Sequence, residues 1–233
     1  RRGVFDGRGV GALGGVGPVR QLGWSGCIPV TQADAASELL GVATVLEQLV
    51  GSDGGRTPEY AQLRARAESL AASLVSLQAG DGGWSWTSAS GSSSPETSCD
   101  AMLALARARR VGVPVPAATL ENGLRYLDGA FRAVRQQAHE LKAMLVHAKA
   151  AHGRHDFAAA NALHRERSGM SPAALAHTTL ALAAMERKPM AADTGRLLAA
   201  RLQEGHGRCP VDGNLAWNRS TLEMTALALL ALQ

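Results

Sequence analysis

Gln78-Ala79-Gly80-Asp81-Gly82-Gly83-Trp84-Ser85-Trp86 interrupts two alanine- and leucine-rich stretches, and its reading decides the fold. Glycine's backbone freedom lets the chain reverse there. A tryptophan at the reversal can seal the joint between the flanking helices with a large apolar face. The pattern returns near the end of the chain. Asp81-Gly82-Gly83-Trp84-Ser85-Trp86 leads through a Ser/Gly loop into Glu96-Thr97-Ser98-Cys99-Asp100-Ala101-Met102-Leu103-Ala104-Leu105. Asp212-Gly213-Asn214-Leu215-Ala216-Trp217 leads into Ser220-Thr221-Leu222-Glu223-Met224-Thr225-Ala226-Leu227-Ala228-Leu229. Turn, tryptophan and apolar helix thus form an internal repeat, whose mechanics are those of a structural joint.

Helical signals repeat on both sides of this turn. Thr57-Pro58-Glu59 predicts a helix start, because proline at the first helical position sacrifices no hydrogen bond. That helix runs to about Gln78, with Leu63, Leu70, Leu74 and Leu77 on its apolar stripe. Upstream, Thr31 caps a helix to about Val50 that presents Leu39, Val42, Val45, Leu46, Leu49 and Val50 on one side. Downstream, Ser94-Pro95-Glu96 opens a helix to about Arg110, and Gly112-Val113-Pro114-Val115-Pro116 breaks it. Further helices are predicted at about 117–135, 137–152, 156–167, 171–187, 190–204 and 219–233, with Asp156 and Ser171-Pro172 as start signals. No segment alternates in the manner of a strand.

About nine helices joined by short connections favour antiparallel neighbours. Ala173-Ala174-Leu175-Ala176 through Leu180-Ala181-Leu182-Ala183-Ala184 is apolar almost all round, which marks an internal helix. The expected fold class is therefore all-α. Antiparallel helix pairs are expected to form an inner ring of apolar helices wrapped by outer, more polar ones. Residues 1–26 are Gly-rich and irregular, and the expected helical domain is 27–233. Gly9-Val10-Gly11-Ala12-Leu13-Gly14 matches a dinucleotide-binding pattern with Asp34 beyond it, but no strand precedes the glycines and Asp34 falls within a helical pattern.

Composition excludes several classes. With 46% hydrophobic and 19% charged residues, the 233-residue chain is globular rather than disordered. The net charge of +4 comes from arginines spread beside acids, as in Arg64-Ala65-Arg66-Ala67-Glu68, with no basic-aromatic interleaving, so nucleic acid is not an expected partner. No apolar run approaches the ~20 residues of a membrane span. Cys27, Cys99 and Cys209 form neither a disulfide framework nor a zinc spacing. No cofactor is expected. The chain lacks an initiating Met and is expected to be a piece of a longer protein, with any targeting signal upstream.

Gln78-Ala79-Gly80-Asp81-Gly82-Gly83-Trp84 resembles the Gln…Gly-x-Trp motif of the alpha/alpha-toroid superfamily. That superfamily includes triterpene cyclases, protein prenyltransferase beta subunits and thioester domains of the complement and alpha-2-macroglobulin type. Several further stretches resemble bacterial alpha-2-macroglobulin-like proteins: Val113-Pro114-Val115-Pro116, Phe157-Ala158-Ala159-Ala160-Asn161-Ala162-Leu163 and Met170-Ser171-Pro172-Ala173-Ala174-Leu175-Ala176. Met185-Glu186-Arg187-Lys188-Pro189-Met190-Ala191 and Trp217…Leu222-Glu223-Met224-Thr225-Ala226-Leu227 do so too. The resemblance covers roughly residues 26–233. It implies a toroid inside a large secreted or periplasmic, non-enzymatic protein that traps proteases or tags targets, with proteases and other domains of the parent chain as partners.

In that family a Gly-Cys-x-Glu-Gln segment carries the chemistry. The Gln side chain acylates the Cys sulfur, displacing ammonia, and the internal thioester later reacts with an amine or hydroxyl. The short spacing brings sulfur and carbonyl together within one turn. The matching place here reads Gly26-Cys27-Ile28-Pro29-Val30-Thr31-Gln32. Gln32 stands five residues beyond Cys27, the Glu is absent and Pro29 stiffens the segment. A Cys27–Gln32 thioester requires the turn to bulge. A free or buried thiol in a turn is the simpler reading, so the expected domain lacks a working thioester.

Two enzymatic toroid readings remain as alternatives, together with a non-catalytic helical scaffold. A prenyltransferase needs an Asp-x-Cys zinc pair with a distant His. Here Cys99-Asp100 is adjacent and reversed, and Cys209-Pro210-Val211-Asp212 is too widely spaced. A triterpene cyclase needs an aromatic-lined cavity, which three Phe, two Tyr and four Trp hardly provide. Among seven histidines no pair has metal spacing with a carboxylate partner on one helical face. His177, within an apolar helix, is the most unusual, and its expected role is that of a satisfied inner-ring histidine.

Overall fold

In the computed structural model, residues 31–51, 57–86, 92–135, 137–207 and 221–233 are described. Cys27, Cys209, the Gly9–Gly14 stretch, the expected boundary at residue 26, and the second turn with Trp217 all lie outside them.

Local capping sets the helix starts. Helix α1 (Gln32–Gly51) begins where the Thr31 hydroxyl accepts from the Asp34 amide at 3.0 Å, while Asp34 Oδ2 accepts the Thr31 amide in return. Thr57, Ser94 and Ser171 each accept an amide three residues on, and each is followed by a proline. They open α2 (Pro58–Ser76), α3 (Pro95–Arg110) and α7 (Pro172–Ala184). Asp156 does the same without proline for α6 (Phe157–Arg165). Such caps satisfy amides that the first helical turn leaves without partners. The remaining helices are α4 (Ala117–Ala133), α5 (His139–Ala150), α8 (Lys188–Glu204) and α9 (Thr221–Ala231).

These nine α-helices and one short 3₁₀ turn at Arg167–Gly169 are all the regular structure among the described residues, where no strand occurs. The expected helices are all present, with ends displaced by at most three residues. The 137–152 prediction shrinks to His139–Ala150, and 156–167 divides into α6 and the 3₁₀ turn. Helix α8 starts at Lys188 rather than 190, because Pro189 is tolerated in its first turn. One packing expectation fails. Val50, assigned to the buried side of α1, is 62% exposed, because that helix fills its core face with Ala35, Ala36 and Ala43 and ends beside solvent.

Odd and even helices play different parts. The odd ones pack in series, α1 on α3, α3 on α5, α5 on α7, α7 on α9. Each even helix lies across two consecutive odd ones: α2 on α1 and α3, α4 on α3 and α5, α6 on α5 and α7, α8 on α7 and α9. Composition explains the division. Helix α7 buries Ala173, Ala174, Leu175, Ala176, Ala181 and Leu182 around its circumference, and alanine lets backbones approach closely. Helix α4 buries one stripe, Thr119, Leu120, Gly123, Leu124 and Leu127, and turns Glu121 and Arg125 outward, as an outer amphipathic helix does. The all-α class with inner and outer helices is thus what the chain adopts.

Helix α5 is the wall between two cores. Met144, Leu145 and Ala148 face the α1–α4 cluster, while Ala143, Val146 and Ala150 face the α6–α9 cluster. Glu223, in the first turn of α9, lies near enough to Asp100 of α3 to help raise its carboxyl.

Candidate functional site

Six of the eight residues singled out from the sequence meet at one place. Gln32, Gln78, Asp81, Gly82, Gly83 and Trp84 converge where α1, α2, α3 and α4 abut. Cys27 and Trp217 lie outside the described residues.

The turn is held from every side. Gln78 Nε2 donates to the carbonyls of Gly82 and Thr119, both at 2.9 Å, so one carboxamide ties the turn to itself and to α4. Asp81 Oδ1 accepts from the Gly83 amide at 3.0 Å and from the Ser93 hydroxyl at 2.7 Å. That closes the loop between the turn and α3. Gly82 sits at φ +90°, a left-handed conformation, and a Cβ there would come within 2.4 Å of the Asn122 carbonyl oxygen. Only glycine satisfies both conditions. A Cβ on Gly83 would strike Ser93, so the second glycine is there for close approach.

Trp84 is wholly buried. Its indole N–H donates to the Leu74 carbonyl near the end of α2 at 2.8 Å, its amide donates to Ser98 Oγ of α3, and its carbonyl accepts the Ser94 amide. The ring reaches α4 at Gly123, where any Cβ would meet it at 3.2 Å and Met102 Sδ at 2.4 Å. Trp84 therefore seals a joint among three helices.

Gln32 contributes the fourth. Buried in the first turn of α1, it accepts the Ser85 amide on Oε1 at 3.0 Å and donates from Nε2 to Ser85 Oγ at 3.4 Å. Its carboxamide is thus engaged at both ends, by the residue after the tryptophan. Ser85, Ser98, Thr119, Asn122 and Gly123 were not singled out from the sequence. Ser85 and Ser98 stood within the quoted turn and the helix that follows it, whereas Thr119, Asn122 and Gly123 supply generic polar or small groups from a distant segment.

A second polar cluster lines the inner helices. Cys99 is fully buried, and burial together with the charges of Asp100 and Glu96 pushes its thiol well above the ordinary range, which leaves it inert at neutral pH. Burial, then Glu96 and Glu223, push the Asp100 carboxyl up to about 7. Burial and Asp81 raise the Tyr126 hydroxyl to about 12. On the other side of α3, His147 of α5 and His177 of α7 meet through their Nδ1 atoms at 3.0 Å. His152 Nε2 lies 2.8 Å from the Met102 carbonyl. Among the described residues no three His, Cys, Asp or Glu side chains converge as a metal site, and no helix is long and apolar enough to cross a membrane.

Against known proteins, no family model and no curated relative matches the chain. Solved structures do. The alpha-2-macroglobulin of Salmonella reacted with methylamine superposes over 92% of this chain with a TM-score of 0.68 at 19% identity. The native Escherichia coli alpha-2-macroglobulin does so over 92% with a TM-score of 0.63 at 16% identity. A piece of the E. coli protein running from domain MG7 to the C-terminus gives 0.60 at 17% identity. The chain spans 14% of the Salmonella protein, 15% of the native E. coli protein and 41% of the E. coli piece. Identities this low establish the fold. The inner and outer helices, and the Gln78–Trp84 joint between them, thus build the fold of one segment of the bacterial alpha-2-macroglobulins.

Proposed function

We propose that this chain is the thioester-domain-like toroid of an alpha-2-macroglobulin-type protein, acting in protease binding or envelope defence outside the cytoplasm and without working thioester chemistry. The observation that carries the reading is the superposition over 92% of the chain on the Salmonella and E. coli proteins. The resemblance of the Gln78–Trp84 turn to the superfamily motif supports it. The E. coli relatives are described as activated by trypsin and by porcine elastase, which makes serine endopeptidases the first partners to test.

The loss of thioester chemistry is read from Gln32. Its carboxamide is engaged by Ser85 on both oxygen and nitrogen, and acylating a thiol would release that nitrogen as ammonia and with it the donor to Ser85 Oγ. In this reading Gln32 is a structural strut, and the domain contributes shape and contacts to its parent protein rather than a covalent bond.

Intact-mass measurement tests the chemistry. The expected mass is that of the unmodified sequence, unchanged by methylamine. A mass short by one ammonia, restored with methylamine addition, would overturn the non-reactive reading while leaving the fold untouched. The protease reading is tested separately by incubating the parent protein with trypsin or elastase and resolving the mixture by size. Co-elution that dissociates in denaturant is expected, and absence of co-elution with either protease rejects protease binding.

A further inference from the structure

We propose that the His147–His177 pair is an acid-sensitive latch on the seam between α5 and α7, closed when both rings are neutral and opened by protonation. The inference rests on the geometry of that seam and not on the family reading.

The two Nδ1 atoms lie 3.0 Å apart, with ring centroids at 5.3 Å and planes at 45°. One neutral ring donates its Nδ1 proton; the other accepts with a bare Nδ1 and keeps its own proton on Nε2. This arrangement has room for a single proton on the axis. A first proton enters at the bare Nε2 of the donor ring, which keeps the Nδ1–Nδ1 hydrogen bond but buries a positive charge in the seam; a second, on the acceptor Nδ1, sets two N–H groups head to head and breaks the contact. His177 is buried, whereas His147 keeps a partly exposed edge through which protons can arrive.

The surroundings resist charge. Arg107 and Arg110 of α3 face His147 and disfavour its protonation. Arg107 is itself bound to Glu47 of α1. Helix α7 carries no charged residue besides His177. The nearby carboxylates are committed elsewhere. Asp128 of α4 binds Lys149 and Arg154, Asp156 before α6 binds Lys149, and Asp193 of α8 binds His164 and Arg167. Glu140 of α5 accepts the Ser171 hydroxyl at the far end of the same seam, and Glu223 of α9 acts on Asp100. Among the described residues no carboxylate acts on either ring to stabilise an imidazolium.

Burial holds His177 at about 4, and burial, His177 and the two arginines hold His147 well below its ordinary value of 6.5. The sign follows. Between pH 6.5 and about 4 the opened seam binds more protons than the closed one, so the latch is at full strength above pH 6.5 and weakens as pH falls toward 4. Helix α5 divides the two cores, so opening this seam uncovers the Ala143, Val146 and Ala150 face of the second core and leaves the α1–α4 cluster packed.

Hydrogen exchange on the full chain at pH 7.5 and pH 5.0, corrected for intrinsic rates, tests the latch. Amides of α5 and α7 are expected to lose at least about tenfold of their protection at pH 5.0 while α1 and α2 keep theirs. The double variant His147→Leu/His177→Leu should abolish that loss, and His152→Gln should leave it. Should the double variant not fold, ring ¹⁵N titration of the native chain decides. His147 and His177 both titrating well below 6.5, together with the pH-dependent α5–α7 protection, support the latch. Both rings titrating near 6.5 with the seam intact, uniform loss of protection over all helices, or an undiminished loss in the double variant would overturn it.

Discussion

Gln32 and Ser85, 53 positions apart in sequence, are joined by two hydrogen bonds inside the protein: the Ser85 amide donates to Gln32 Oε1 at 3.0 Å, and Gln32 Nε2 donates to Ser85 Oγ at 3.4 Å. This pairing fastens the start of α1 to the residue that follows Trp84. It therefore fixes the first inner helix against the turn that joins α2 to α3.

Truncating the strut leaves the Ser85 amide buried without that partner. Gln32→Ala is expected to destabilise the chain by about 1–3 kcal/mol, with the midpoint in urea lowered and its slope unchanged. The variant's intact mass should match its sequence, as should that of the native chain. A Gln32→Ala protein that gains one ammonia of mass relative to native, after allowing for the substitution, would show that Gln32 was acylating a thiol.

The two halves of the Gly-Gly turn differ from the glycine just before them. Gly82→Ala forces a side chain into φ +90° and against the Asn122 carbonyl at 2.4 Å, whereas Gly80 has open space around it. Gly82→Ala should cost about 2 kcal/mol or more, and Gly80→Ala should fall within about 0.5 kcal/mol of native. Thermal or urea melts of the pair check this, and equal effects would remove the turn from its place in the fold.

Trp84 combines buried area with one directed hydrogen bond, so two variants separate the contributions. Trp84→Phe keeps most of the apolar face and loses the bond to the Leu74 carbonyl, for about 1–3 kcal/mol. Trp84→Ala leaves a cavity among α2, α3 and α4 and should cost about 3–5 kcal/mol. Equilibrium unfolding measures both.

Asp100 supplies a pH dependence of opposite sense to the histidine pair. Its carboxyl is raised from 3.8 to about 7 in the folded chain, by burial first and then by Glu96 and Glu223. Between pH 4 and pH 7 the folded state binds more protons, so this group's contribution falls as pH rises and is fully lost above pH 7. Asp100→Asn is expected to stabilise the chain at pH 8 by about 1–2 kcal/mol, a figure reduced for the partial exposure of the side chain, and to do little at pH 4. Stability curves of native and variant protein over this range give the answer.

Glu186 ends α7 in the left-handed region at φ 58°, where its Cβ is unfavourable. The Arg187 amide closes back on the Leu182 carbonyl at 2.9 Å, the geometry that glycine ordinarily serves. Glu186→Gly should stabilise by about 0.5–1 kcal/mol in a thermal melt.

Helix positions were legible because their signals are local. Thr57-Pro58, Ser94-Pro95 and Ser171-Pro172 each cap the helix they announce, and the alanine-rich run after Pro172 is internal as its composition requires. The Gln78–Trp84 turn was legible as a joint for the same reason, since glycine and tryptophan state their geometry and their burial in their own chemistry. Val50 was misassigned because periodicity marks a face but not where along a helix the neighbours stop.

What the sequence by itself determined is the list of helices, which of them are apolar all round, and where the chain must reverse, because capping, propensity and backbone freedom act within a few residues. Only the tertiary structure decided that Gln32 faces Ser85, that Gln78 reaches Thr119 across four helices' junction, and that His147 meets His177. Those partners are 30 to 53 positions apart. Each depends on how whole helices are laid side by side, and a carboxamide or an imidazole carries no mark in sequence of the group it will find there.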